Sequence, residues 1–121
     1  MNSLNDQLEV NVHLINNSLK LFGQKFAFHI VLNMLFLNQK RFSQFLKSID
    51  GLNTKTLSIR LKDLEKWGII ERNVTQKRPI QVEYSLTEKG KALEQVLIKL
   101  VEFSITFETK TNFKDGTTVS R

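Results

Sequence analysis

"TKTLSIRLKDLEKWG", residues 54–68, is the stretch whose reading decides the fold. Wound into a helix, it brings Leu57, Leu61 and Leu64 onto one side, the i, i+4, i+7 stripe of a core-facing helix. The opposite side carries Lys55, Ile59, Lys62 and Lys66. A helix that needs only solubility mixes charge signs and avoids an exposed branched apolar residue. Three lysines, no central carboxylate and a bare isoleucine therefore ask for a partner.

Working outward, Asn53 is a good N-cap, and Leu52 before it can staple onto Leu57. Gly68 stops the helix at C′. Upstream, "DGLN" (50–53) reads as a tight turn with Gly51 free to take a positive φ. Before it, "RFSQFLKSI" (41–49) reads as a short amphipathic helix burying Phe42, Phe45, Leu46 and Ile49. After Gly68 the apolar period changes to two. "IIERNV" (69–74) places Ile70, Arg72 and Val74 on one face, and "QVEYSL" (81–86) does the same with Val82, Tyr84 and Leu86. Between them "TQKRPI" holds the only proline, Pro79, and a basic tip of Lys77 and Arg78. This predicts a β-hairpin.

Thr87 is expected to cap one long helix reaching about residue 107, with a buried stripe of Leu93, Val96, Leu97, Leu100 and Val101. Residues 25–37 predict a helix apolar nearly all round, in which Phe28, Val31, Leu32 and Leu35 join that stripe as candidates for a subunit interface. "SLKLFG" (18–23) reads as a short helix. Ahead of it two patterns compete. Leu8, Val10, Val12 and Leu14 alternate like a strand, whereas Leu8, Val12, Ile15 and Leu19 could stripe a helix; the Val and Asn content favours extended structure. Residues 108–121 form a polar tail expected to be disordered.

A chain of 121 residues with 40% apolar content supports one domain with a real core. There is no cysteine, which excludes disulfides, thiolate metal sites and cysteine nucleophiles. The N-terminus lacks a signal-peptide pattern, and "FAFHIVLNMLFL" (26–37) is too short to span a bilayer. The expected location is cytoplasmic, associated with the nucleoid in a prokaryote. The net charge of +6 is concentrated: residues 40–91 hold twelve basic and six acidic groups, and the remainder is neutral. Such concentration is the electrostatic footprint of a nucleic-acid contact.

Helix, turn, basic helix and basic-tipped hairpin, in that order, predict a winged helix-turn-helix: a mostly α, α+β fold. The expected unit is 1–107, with the helix-turn-helix at 41–67, the wing at 69–86 and dimerisation elements at 8–37 and 87–107. The helix from Asn53 then buries one side and offers the other to DNA. Lysines reach phosphates or guanine edges, Ile59 suits a thymine methyl, and Thr54 and Thr56 sit at the end that enters the major groove.

The run "RFSQFLKSIDGLNTKTLSIRLKDLEKWGIIERNV" (41–74) followed by "VEYSLTEKGKAL" (82–93) resembles the HxlR-type winged helix-turn-helix transcription regulators, relatives of the MarR superfamily. "LFGQKFAFHIVLNML" (21–35) matches that family more weakly. The resemblance implies a homodimer joined by its N- and C-terminal helices; because a two-fold dimer presents two equivalent helices, double-stranded DNA with an inverted-repeat operator is the expected partner. The resemblance also implies DNA contacts at Arg41 and Ser43, at Thr54, Lys55, Thr56, Ser58, Ile59 and Lys62, and at Lys77 and Arg78 in the wing. Many members carry a sensing cysteine whose equivalent falls near His13; this chain cannot sense through a thiol. The wing, with a single proline, also departs from the family pattern.

Other residues read more plainly. Arg60 suits an ion pair or a phosphate, Trp67 suits packing, and His29 suits an interface. His13 and His29 are not at ligand spacing, so no metal or other cofactor is expected. Neither a glycine-rich phosphate loop nor a nucleophile–base pairing is present, so no enzyme activity is expected. A winged-helix module that binds protein, and a nonspecific architectural DNA binder, are the alternatives. No effector is indicated.

Overall fold

Asn53 caps the central helix as its side chain allows. In the computed structural model, which describes residues 3–108, Asn53 Oδ1 accepts the Thr56 N–H at 2.8 Å and α4 runs over Thr54–Lys66. Leu57, Leu61 and Leu64 are buried, and the chain leaves the helix through Gly68 at φ 75°. Asn53→Ala leaves that first-turn donor without its side-chain partner. It should cost about 1 kcal/mol, seen as a lower urea midpoint at unchanged m value.

Ahead of α4 lie α1 (Ser3–Phe22), α2 (Ala27–Phe36) and α3 (Phe42–Ser48). After it come β1 (Ile70–Val74) and β2 (Val82–Leu86), an antiparallel pair in the register Ile70↔Leu86, Arg72↔Tyr84 and Val74↔Val82. The period-two reading of both strands is therefore correct. Then follow α5 (Glu88–Lys91) and α6 (Leu93–Phe107). The core joins Ile30, Val31 and Met34 of α2, Phe45 of α3, the α4 leucines, Ile69, Ile70 and Leu97. The fold is mostly helical with a two-stranded wing, as expected. None of the described helices is long and apolar enough to cross a membrane.

Four expectations are corrected. The extended reading of 8–14 and the separate helix at 18–23 give way to one helix, α1. The sheet contains only β1 and β2 among the described residues. Among the described residues nothing pairs with the outer edges of that sheet as a third strand, and a helix satisfies its own backbone polar groups. The side chains of Leu8, Val10 and His13, and the tail beyond Glu108, lie outside the described residues.

The helix expected from Thr87 is two, parted at Ala92. Thr87 caps the short one, its hydroxyl accepting the Gly90 N–H at 3.0 Å and facing the carbonyls of Gly68 and Ile69. Gly90, which resembles helix punctuation in the sequence, lies inside α5 and is buried there.

The expected apolar stripe also divides. Leu97 is fully buried within the chain, as is Val31, so neither offers surface to a second subunit. Phe28, Leu32, Leu35 and Leu93 are half-buried against the same core. Val96, Leu100 and Val101 are exposed. The cause is simple: α6 meets the core along one narrow line, and Leu97 occupies it.

Candidate nucleic-acid interface

The side of α4 opposite its leucines faces water. Thr54, Lys55, Ser58, Ile59 and Lys62 are exposed along it, Thr56 is half-buried beside the cap, and Lys66 continues the row. Ile59 is 44% exposed, high for a branched apolar side chain amid cations. Neither Lys55 nor Lys62 has an ion-pair partner among the described residues, so both charges remain available.

Arg60 belongs elsewhere. Its Nε donates to the Lys25 carbonyl at 2.7 Å, and its Nη1 lies 3.6 Å from Asp63 Oδ2. That is the structural ion pair the sequence suggested. Trp67 is half-buried against the core, which agrees with packing. His29 is exposed, its ring 6.1 Å from that of Phe26.

On α3, Ser43 is exposed, whereas Arg41 at the N-cap is engaged: its Nη2 donates to Glu83 Oε2 on β2 at 2.9 Å. The wing loop is closed by the Thr75 N–H donating to the Gln81 carbonyl at 2.8 Å. Lys77 and Arg78 stand exposed at its tip, with Ile80 exposed beside them.

The structure thus gathers Thr54, Lys55, Ser58, Ile59 and Lys62 on one face and leaves Lys77 and Arg78 on a separate projection. Two residues that sequence reasoning missed bear on this surface. Glu83 draws Arg41 and Lys40 to the wing. Lys89 Nζ donates to the Trp67 carbonyl at 2.8 Å, closing the C-terminal end of α4, where a cation also suits the helix dipole. Each partner lies tens of residues away, so no local pattern signals it.

The family described as HxlR-like helix-turn-helix matches residues 21–112. The chain belongs to that family. Among its relatives in the HxlR-like family is the uncharacterized HTH-type transcriptional regulator sll1512 of Synechocystis. It is 46% identical over 71 residues, covering 59% of this chain and 53% of the relative. The chain therefore spans about half the length of that protein. The uncharacterized HTH-type regulator YdeP of Bacillus subtilis is 35% identical over 89 residues, 74% of this chain and 69% of YdeP. The reduced form of the B. subtilis transcriptional regulator YodB superposes with a TM-score of 0.66 at 31% identity. That alignment covers 76% of this chain and 89% of YodB. The HxlR-like chain is thus a helix-turn-helix protein of a transcription-regulator family, as its motifs implied.

Proposed function

We propose that this HxlR-like chain is a homodimeric, sequence-specific DNA-binding regulator that acts in the cytoplasm. The observation that carries the reading is the unpaired, lysine-rich outer face of α4 with Ile59 at its centre. The recognition helix, 53–67, enters the major groove. Thr54, Thr56, Ser58 and Ile59 meet base edges, while Lys55, Lys62 and Ser43 meet phosphates. Lys77 and Arg78 reach the adjacent backbone or minor groove.

Residues 1–107 act as one winged-helix unit. The exposed apolar side chains of α1 and α6, among them Ile15, Leu19, Val96, Leu100 and Phe103, supply the surface for a second copy. A two-fold dimer presents two equivalent helices, about 34 Å or a multiple apart. Selection from random DNA should therefore return an inverted repeat; recovery of isolated half-sites alone, at concentrations where the chain is dimeric, would contradict the reading. Solved forms of YodB include a reduced and a diamide-treated one. With no cysteine in the chain, any signal that reaches this regulator acts by other chemistry.

Two substitutions separate the jobs of the basic face. Lys62→Ala should weaken cognate and random DNA together and lower the log–log salt slope by about 0.9, because one counterion-releasing contact is lost. Ile59→Ala should weaken cognate DNA selectively, by about 1–3 kcal/mol if the contact is well formed, and leave the slope unchanged. If both variants fold and bind as before, α4 presents only a solvated face, and a protein-binding module becomes the better reading.

A further inference from the structure

Glu83 is a carboxylate set among cations. Its Oε2 accepts from Arg41 Nη2 at 2.9 Å, and its Oε1 lies 3.9 Å from Lys40 Nζ. The backbone beneath these side chains is held as well. The Tyr84 N–H donates to the Lys40 carbonyl at 2.8 Å, joining β2 to the segment that leads into α3. From the other side, Gln44 Oε1 accepts the N–H groups of both Lys40 and Arg41, at 2.8 and 3.0 Å. Residues 40 and 41 are thus fastened to α3 and to the wing at once.

Apart from Tyr84 and Leu86 of β2, which are half-buried against the core, the wing has few other anchors. Its base is seated by Ile70, which is buried, but Val74 and Ile80 toward the tip are exposed. A hairpin fixed at its base alone can swing about that end. A second attachment part-way along β2 fixes its direction.

We propose that Glu83 positions the wing: by clasping Arg41 it sets where Lys77 and Arg78 land relative to α4, and Arg41 serves as its anchor and not as a phosphate contact. The proposal rests on the DNA-binding reading above and revises the role that the family resemblance gives to Arg41. Two considerations support it. The side chains of Arg41 and Glu83 are 37% and 30% exposed, and pairs so accessible to solvent contribute little to stability. The pair is therefore explained better by geometry than by folding energy. In addition, the neighbouring carboxylate offsets the charge that a phosphate contact at Arg41 would use.

The two roles predict opposite signs. If Arg41 held a phosphate, neutralising Glu83 would free it and tighten binding. If the pair is a clasp, Glu83→Gln loosens the wing and weakens binding, by about tenfold for a coupled pair. The test uses the full chain and the operator recovered by selection. A failure of the DNA reading appears in that selection with the wild type, whereas a failure of the clasp appears only in the variants. Glu83→Gln should keep the wild-type melting temperature within a few degrees. It should lose hydroxyl-radical protection of the backbone under the wing and keep protection of the bases under α4. The reversed pair, Arg41→Glu with Glu83→Arg, should recover most of the affinity and the wing protection. The proposal is overturned if Glu83→Gln binds as tightly as the wild type or more tightly. It is equally overturned if the reversed pair binds no better than Glu83→Gln, or if Arg41→Ala lowers the salt slope while the wing footprint stays intact.

Discussion

Gly90→Ala is expected to be among the most damaging single-methyl changes in this chain, destabilising it by about 3 kcal/mol or more. A Cβ at that position would stand 2.1 Å from the Ile69 carbonyl oxygen and 3.0 Å from a Leu86 methyl. The first neighbour is backbone, so it cannot rotate aside. That carbonyl also accepts the Thr87 N–H at 3.0 Å and the Thr87 hydroxyl at 3.1 Å. Moving it disturbs the junction of β1, β2 and α5 together. Helix propensity pulls the other way, since alanine is favoured over glycine by about 1 kcal/mol in a helix interior. The steric cost is the larger, so the sign is destabilising. Thermal unfolding should show a midpoint lower by about 10 °C or more. A midpoint at or above the wild-type value would mean that α5 does not approach Ile69 so closely.

Leu97→Glu and Leu100→Glu should part sharply although they lie on one helix. Leu97 has no exposure, so a carboxylate there is buried without a partner. The cost is about several kcal/mol, a large share of a small domain's stability. Loss of cooperative unfolding and of native circular dichroism is expected. Leu100 is 44% exposed in the single chain. Glutamate there should leave the fold intact and place two like charges in the proposed dimer surface, shifting sedimentation at micromolar concentration toward monomer. A folded, fully dimeric Leu100→Glu would place the dimer contact away from this face of α6.

The helix-turn-helix and the wing were readable because their signals are local. Asn53, Gly68 and the leucines at 57, 61 and 64 mark a start, a stop and a buried side within one window. The alternation in 69–74 and 81–86 does the same for the strands. The exposed row of α4 followed from the same arithmetic, since fixing the buried side of a helix fixes its other side. The ends of the chain were less readable. In α1 the alternating and helical patterns share Leu8 and Val12, and nothing local separates them; the segment folds as a helix and pairs with neither β1 nor β2. In 87–107 the helical period runs through Ala92 without interruption, so nothing in the spacing announces the break.

The sequence by itself determined the helix-turn-helix, the Asn53 and Thr87 caps, the two strands of the hairpin and the basic face, because each depends on residues within a few positions of one another. Tertiary structure alone decided which apolar residues close the core and which remain for a partner. Val31 and Leu97 look no different from their neighbours until two helices meet along one line. It alone also decided what the scattered charges do. Glu83 and Arg41 lie 42 residues apart, and Gly90 meets the Ile69 carbonyl at the base of the hairpin, with both strands between them in the sequence. Pairings of that kind arise from the path of the backbone through space, and hydrophobic periodicity carries no information about them.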